Sequence, residues 1–359
     1  MAKRKGSKPQ YSKPASQKPK FTPEEKQAEE KRKSNVAKHS TFITIFIVVI
    51  LVLSFAGRWI YAIQKNYFGT FVKVDYSVEE ALENIDGLIP TETESEEVLP
   101  YQNALDLYTA SHLCDEVEMT SSDGIKLHAH LYDNDSKKTV IILQSFGIEG
   151  NSDFLPLADL YKEYDCNFLM IDARATGESE GEYYSYGYLE QHDLSDWIAW
   201  CNDRLGNQSY LIWGIAAGAN TALFADENAN LPDCDCIEAI VAENPYASLH
   251  ELAKKNIQKW YTLPAFPFLN AIELRVNLSD IGFSVKNLNL ETVLNNTPED
   301  IPVLFLTSDR DAYVQEEFTQ VVYSFFQGEK EILVGSGSHG TVYAEKQDDI
   351  LKWIKNNWK

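Results

Sequence analysis

The sequence predicts a doubly wound α/β domain with a mostly parallel sheet, and two observations support this prediction. Short apolar runs recur along the carboxyl-terminal part of the chain, as expected for strands that are buried on both faces of a parallel sheet. Helical patterns separate most of these runs, and such alternation is typical of doubly wound folds. The apolar runs lie at residues 140–143, 168–171, 211–213, 237–241, 303–306 and 332–334. The helical patterns lie at roughly 153–163, 187–204, 217–227, 314–326 and 342–357.

Two segments depart from this alternation. Residues 116–120 and 126–132 alternate around a Ser-Asp-Gly turn, which predicts a hairpin ahead of the parallel strands. Residues 246–297 contain no buried-strand run but include several aromatic side chains, such as Trp260 and Phe266. We predict a small, partly helical cap in this segment, because long structureless connections are uncommon in compact domains. A long irregular connection is the alternative.

The amino-terminal part of the chain predicts a membrane anchor. Residues 1–38 are basic and poor in large apolar side chains, so we expect a disordered cytoplasmic tail. Residues 39–63 are interpreted as one transmembrane helix, because the run from Thr41 to Gly57 is uncharged and apolar. Basic residues before this helix and acidic residues after it place the folded domain on the extracytoplasmic side of the cell membrane. A cleaved signal peptide and a hairpin or interfacial helix are the alternatives.

Composition sets the remaining boundaries and excludes one class of partner. Residues 64–112 are polar and acid-rich and are interpreted as a stalk or lead-in, so the folded domain is predicted at residues 113–359. The chain has 54 acidic and 32 basic residues, a formal net charge of −22. Such a charge repels nucleic acid, and no nucleic-acid partner is expected.

The cysteines suggest no disulfide framework, because their number is odd. They are Cys114, Cys166, Cys201, Cys234 and Cys236. Cys166 and Cys201 are expected to be small core residues. Cys234 and Cys236 are too close in sequence for an easy disulfide, and no second pair of ligands accompanies them for zinc.

No cofactor or metal is expected from the motifs. The sequence has neither a P-loop nor a dinucleotide-binding fingerprint. His128 and His130 share one face of a predicted strand, but no carboxylate or third histidine follows at a spacing typical of metal ligands.

The most informative segment is residues 214–218, Gly-Ile-Ala-Ala-Gly, between a strand run and a helical pattern. This is the layout of a nucleophile elbow, G-x-S-x-G, with Ala216 in the position of the serine. Asp311 and His339 follow the last two predicted strands, in the chain order of nucleophile, acid and histidine. In such a triad the imidazole accepts the proton of the attacking hydroxyl, and the carboxylate orients the imidazole. Asp309 is the alternative acid.

Taken together, residues 116–358 resemble the α/β-hydrolase family, in particular bacterial esterase and peptidase-like members with a short cap. Residues 172–181 resemble the family motif D-x-R-G-x-G-x-S-x-G. Residues 144–151 begin with Gln-Ser where the family usually has His-Gly. The resemblance implies an α/β-hydrolase fold and an oxyanion hole formed by the backbone N–H groups of Phe146 and Ala217.

Ala216 has no atom that can attack a carbonyl carbon. The sequence therefore favours a catalytically impaired protein that binds an acyl or peptide ligand, or a protein partner, through the vestigial site. One alternative is an active ester or peptide hydrolase that uses Ser145 as a relocated nucleophile or a water activated by Glu149. Another is that Ala216 is an engineered replacement of an active serine. Arg174 is expected to brace its loop through Asp172 or a carbonyl group.

Overall fold

The computed structural model describes residues 22–63, 98–144, 154–227, 236–261, 265–266, 269–270, 273, 288–294 and 301–359. The chain divides into two compact units, Met1–Trp59 and Ile60–Lys359.

The described part of the first unit is a long helix, α1 (Pro23–Ile63), which continues a few residues beyond the unit boundary. A capping box begins it: the N–H of Glu25 donates to Oγ1 of Thr22 at 3.3 Å, and the N–H of Thr22 donates to the Glu25 carboxylate at 2.8 Å. The predicted disorder is therefore wrong for residues 23–38. This segment consists largely of Glu, Lys, Gln and Ala, which favour helix, and it leads directly into the apolar run.

The apolar part of α1 is exposed. The large apolar side chains between Val36 and Phe55 are exposed, and the apolar stretch of the helix is 0% buried. The segment Pro23–Arg58 is long enough to cross a membrane, and its apolar stretch has a mean hydropathy of 2.5.

The second unit contains an eight-stranded sheet in the order β1-β2-β4-β3-β5-β6-β7-β8. β2 pairs antiparallel with β1 and β4, and every other neighbouring pair is parallel. The predicted hairpin and mostly parallel sheet are confirmed. The strands are β1 (Asp115–Thr120), β2 (Lys126–Tyr132), β3 (Lys138–Leu143), β4 (Asn167–Ile171), β5 (Ser209–Ile215), β6 (Ile237–Glu243), β7 (Val303–Ser308) and β8 (Lys330–Gly335).

Helices precede, connect and follow the strands, as the alternation predicted. They are α2 (Leu99–Ser111), α3 (Leu157–Tyr164), α4 (Glu190–Leu205), α5 (Ala217–Glu227), α6 (Leu249–Tyr261), α7 (Leu290–Leu294), α8 (Glu316–Phe325) and α9 (Val342–Asn357). The core lies on the central strands, and every residue of β4 and β7 is buried. β8 differs from the predicted fully buried strand, because it lies at one edge of the sheet and Val334 is 38% exposed.

The folded domain begins earlier than the predicted residue 113. Leu105 and Tyr108 of α2 are buried in the main core. The side-chain amide of Asn134 also donates to the hydroxyl of Tyr108 at 2.9 Å. The acidic character of residues 64–112 concealed this packed helix, which has only a few apolar residues on its buried face.

The predicted cap at residues 246–297 is described in part. Its described helices are α6 and α7, and an antiparallel bridge joins Ser248 to Asn289. The two ends of the segment between Ser248 and Asn289 therefore lie side by side. The side chains of Trp260 and Phe268 lie outside the described residues.

The cysteines correct one expectation. Cys114, Cys166 and Cys201 are free, and the last two are fully buried, as predicted. Cys236, however, is disulfide-bonded, which neither the odd number of cysteines nor their spacing led us to expect.

Candidate active site

The turn between β5 and α5 has the backbone of a nucleophile elbow. Ala216 lies at this turn with φ 51°, a left-handed conformation that costs free energy in a residue with a Cβ. Its N–H donates to the carbonyl of Glu243 at 2.7 Å, and its carbonyl accepts from the N–H of Asn220 at 3.1 Å. Ala216 is 5% exposed. The structure therefore holds a methyl group where the G-x-S-x-G pattern places a hydroxyl.

Two glycines make this sharp turn feasible. A Cβ on Gly214 would lie 2.4 Å from the carbonyl oxygen of Gly218. A Cβ on Gly218 would lie 1.9 Å from the carbonyl oxygen of Leu143, at the end of β3. Both separations are far below van der Waals contact, so the close approach of α5 to β3 and β5 requires glycine at both positions.

Asp311 and His339 lie together at the carboxyl edge of the sheet. Oδ2 of Asp311 is 2.6 Å from Nδ1 of His339, the distance of a charge-assisted hydrogen bond. Oδ1 of Asp311 accepts from the N–H groups of Tyr313 at 2.7 Å and Val314 at 2.8 Å. The Asp311 side chain is fully buried, whereas that of His339 is 12% exposed. Asp309, the alternative acid, is exposed and does not occupy this position.

Asn244, a buried residue directly after β6, is a site residue that the sequence motifs did not predict. Its side-chain amide donates to Oδ2 of Asp311 at 2.7 Å and lies 3.5 Å from Nδ1 of His339. Its backbone also has positive φ, 52°. The signal was present, because a polar side chain directly after a strand of a parallel sheet lies at the edge where such folds place their sites.

Glu243, the last residue of β6, lies beneath this cluster. Its carboxylate accepts from the N–H of Val342 at 3.3 Å. Complete burial raises the pKa of Glu243 to about 7, although the nearby His339 favours the ionised form. A carboxyl group that titrates near neutral pH therefore lies below the His339 imidazole.

The loop that carries His339 adjoins the elbow. A Cβ on Gly340 would lie 4.0 Å from the side chain of Ile215, the residue before Ala216. The carbonyl of Glu243 accepts from Ala216, and its carboxylate accepts from Val342. The ends of β5 and β6 and the loop after β8 thus meet at one place, as the order of the motifs predicted.

Of the two residues predicted to form the oxyanion hole, one, Ala217, lies within the described residues. Ala217 is the first residue of α5, and the N–H groups of a first helical turn have no partner within the helix. Such a terminus attracts negative charge. Phe146 lies outside the described residues, as do Ser145 and Glu149.

Arg174 braces its loop, but through other partners than predicted. Its guanidinium donates to both oxygens of Asp193, at 2.8 and 2.5 Å, and to Asp123 at 3.0 Å. The paired geometry suits the planar fork of arginine. Arg174 therefore ties its loop to α4 and to the turn of the hairpin.

Asp172 binds a different residue, His128. Their Oδ2 and Nδ1 atoms are 2.8 Å apart, and one ligand atom each of His128, His130 and Asp172 lie within 4.8 Å of one another. The spacing along the chain indicates no carboxylate near the two histidines, but β4 pairs with β2 and brings in Asp172 from 44 positions away.

Comparison with known proteins shows which folds this chain resembles. No family model matches the chain. The chain is 25% identical over 229 residues to the uncharacterized protein YqkD of Bacillus subtilis (strain 168), a match that covers 63% of this chain and 72% of that protein.

Several solved structures are similar to this chain over a larger part of its length. An esterase of Pyrococcus furiosus, Pf2001, is similar with a TM-score of 0.55 and 22% identity, over 69% of this chain and 94% of that one. Est1E from Butyrivibrio proteoclasticus, solved with bound ferulic acid, is similar with a TM-score of 0.51 and 16% identity, over 67% of this chain and 98% of that one. The chain therefore has the α/β-hydrolase fold that its motifs predicted.

Proposed function

We propose that this protein is a membrane-anchored, non-hydrolytic member of the α/β-hydrolase fold that binds an acyl or peptide ligand, or a protein partner, through its vestigial site. One observation carries the proposal. Ala216 occupies the left-handed position of the elbow, while Asp311 and His339 remain hydrogen-bonded at 2.6 Å. The loss of a triad serine lowers turnover by about a millionfold in other hydrolases. Binding does not require that hydroxyl.

The retained groups favour a ligand with a carbonyl or carboxylate oxygen. The N–H of Ala217 opens α5, and the positive end of a helix attracts an oxygen that carries negative charge. The imidazole of His339, held by Asp311, adds a second polar group with a fixed orientation. Helix α6 lies in the predicted cap segment, which would cover such a ligand.

The anchor is supported by the exposed apolar surface of α1. A core helix of a soluble protein buries its apolar face, whereas the apolar window of α1 is 0% buried. Five basic residues precede the apolar run within α1, which favours a cytoplasmic amino terminus and an extracytoplasmic domain. They are Lys26, Lys31, Arg32, Lys33 and Lys38. Alkaline extraction of membranes tests this anchor, since an integral protein stays in the pellet and a cleaved or peripheral one does not.

The site is tested by fluorophosphonate labelling of the full-length chain in detergent. We expect no labelling of the natural sequence, clear labelling of Ala216→Ser, and none of the double variant Ala216→Ser with His339→Ala. Labelling of the natural sequence that disappears with His339→Ala would contradict the proposal and would indicate a relocated nucleophile. The matched control is Ala219→Ser, which adds a hydroxyl to α5 outside the elbow and is expected to stay unlabelled.

Binding is tested separately by calorimetry. Octanoate and an N-acetylated dipeptide are titrated into the natural sequence and into His339→Ala. We expect binding of at least one of them that weakens in the variant. Equal affinity for both proteins would show that the ligand does not use this site.

A further inference from the structure

A second His–Asp pair lies away from the elbow, between the antiparallel strands β2 and β4. Ala129 pairs with Ile171, so His128 lies beside Asp172, the residue directly after β4. Nδ1 of His128 is 2.8 Å from Oδ2 of Asp172, and both side chains are at most 3% exposed. The same carboxylate oxygen accepts from the N–H of Glu178 at 3.1 Å. This carboxylate therefore fixes both the imidazole and the loop after β4.

The second nitrogen of His128 has no such partner. Nε2 is buried and makes no hydrogen bond within the part of the chain that the structure describes. A buried polar atom without a partner is costly, and native structures seldom retain one without a reason. The side chain of His128 is held by Asp172, so it cannot turn to solvent without losing that contact.

A carboxylate faces this nitrogen at a distance that suits shared coordination. Oε2 of Glu178 lies 4.0 Å from Nε2 of His128, which is too far for a hydrogen bond. Two ligand atoms on one tetrahedral zinc ion, each at about 2.0–2.2 Å from the metal, lie roughly 3.3–3.6 Å apart. The Glu178 side chain is 74% exposed, so a small rotation closes the difference.

A second imidazole lies next to the first. His130 shares a face of β2 with His128, and their ring centroids are 4.9 Å apart with an interplanar angle of 86°. One ligand atom each of His128, His130 and Asp172 fall within 4.8 Å of one another. Two imidazoles with carboxylates form a set of donors typical of zinc and related divalent transition metals.

We propose that this cluster binds a divalent transition-metal ion of the zinc type. Nε2 of His128, an imidazole nitrogen of His130 and a carboxylate oxygen of Glu178 are its ligands. Asp172 holds the His128 ring through Nδ1, as carboxylates commonly do behind a metal-bound histidine. The ion would fasten the loop after β4 to β2, since Glu178 lies on that loop and both histidines lie on the strand. This role is independent of the elbow and of the proposed ligand binding.

The test uses the full-length chain in detergent, stripped with a chelator and dialysed. Zn²⁺ alone is titrated by calorimetry, and the melting temperature is followed over the same concentrations. We expect one ion per chain, with micromolar or tighter affinity, and a melting temperature that rises with Zn²⁺. No binding, or binding without a change in melting temperature, would overturn the proposal.

Variants locate the ion without removing the buried pair. His130→Gln and Glu178→Gln change side chains that are not fully buried, and each is expected to weaken Zn²⁺ binding at least tenfold. The matched control is His192→Gln, which removes an exposed histidine of α4 and is expected to bind Zn²⁺ like the natural sequence. Equal binding by His130→Gln, Glu178→Gln and the natural sequence would place the ion elsewhere and overturn the assignment.

Discussion

The two His–Asp pairs of this domain have similar distances but different neighbours. His339 and Asp311 are 2.6 Å apart, and His128 and Asp172 are 2.8 Å apart. The carboxylate of Asp311 accepts four contacts, from two backbone N–H groups, Asn244 and His339. The loop that carries His339 adjoins the strained turn at Ala216, whose side chain is a methyl group. The second pair instead adjoins another imidazole and the carboxylate of Glu178.

This difference shows that a His–Asp pair has no function by itself. A carboxylate fixes the orientation of an imidazole and makes its other nitrogen a better base or a better ligand. The third group then decides the chemistry. At the elbow that group is Ala216, whose side chain has no hydroxyl proton for His339 to accept. At β2 and β4 it is a set of metal donors, so the same device supports coordination.

The largest expected effect tests the first pair in the Ala216→Ser background. Asp311→Asn should slow fluorophosphonate labelling by about ten thousandfold, because the amide stabilises the wrong tautomer of the imidazole and cannot balance its charge. The measurement is the second-order rate of labelling against the Ala216→Ser parent.

The alternative acid supplies the control for this variant. Asp309→Asn should label at the parent rate, because Asp309 is exposed and does not contact His339 within the described residues. If Asp309→Asn slows labelling and Asp311→Asn does not, the assignment of the acid is reversed.

The second effect tests the backbone that the first pair serves. Gly218→Ala should lower the free energy of unfolding by more than about 4 kcal/mol, because a Cβ there would lie 1.9 Å from the carbonyl oxygen of Leu143. The measurement is urea unfolding of the full-length chain. Gly335→Ala is the control: its Cβ would lie 3.1 Å from a methyl carbon of Val342, and a loss of roughly 1 to 2 kcal/mol is expected. Equal losses would show that the elbow tolerates a wider turn.

The sequence predicted those parts of the fold that depend on local patterns. Apolar runs located the strands, since a parallel strand is buried along its whole length and leaves a continuous signal. The chain order of Ala216, Asp311 and His339 located the candidate site. The burial of β8, at one edge of the sheet, and of helix α2 was not predicted, because partly buried elements have a mixed pattern of apolar and polar residues.

Contacts between distant segments could not be predicted in the same way. Asp172 meets His128 because β4 pairs antiparallel with β2, and the spacing along the chain contains no sign of that pairing. Asn244 reaches Asp311 from a different strand end. The sequence predicts Asp172 or a carbonyl group as the partner of Arg174, but the guanidinium pairs with Asp193 and Asp123, which the fold brings close to it.

The third effect tests the second pair. Asp172→Ala should lower the free energy of unfolding by about 3 kcal/mol, because it leaves the buried His128 imidazole and the N–H of Glu178 without their acceptor. Asp133→Ala, an exposed change just after β2, is the control and should stay within about 0.5 kcal/mol of the natural sequence. Added Zn²⁺ should stabilise Asp172→Ala less than the natural sequence, because the ring of His128 is no longer held.

An effect of comparable size concerns the carboxyl proton of Glu243, near the first pair. Burial raises the pKa of Glu243 to about 7, above the ordinary value of 4.5. Between these two values the folded chain binds a proton that the unfolded chain has released, so the free energy of unfolding falls as the pH rises. The full loss, on the order of 3 kcal/mol, is reached above about pH 7. Glu243→Gln keeps an oxygen for the N–H of Val342 and removes the ionisation.

The measurement is therefore the pH dependence of unfolding between about pH 5 and 8, for the natural sequence and for Glu243→Gln. The variant should lose less stability over this range, and Glu331→Gln, an exposed change on β8, should follow the natural sequence. Because the second pair lies on β2 and β4, its Zn²⁺ response should be the same in Glu243→Gln. A variant that keeps the full pH dependence would mean that Glu243 stays ionised beside His339. The first pair would then adjoin a charged carboxylate that is buried, whereas the carboxylate beside the second pair, that of Glu178, is exposed.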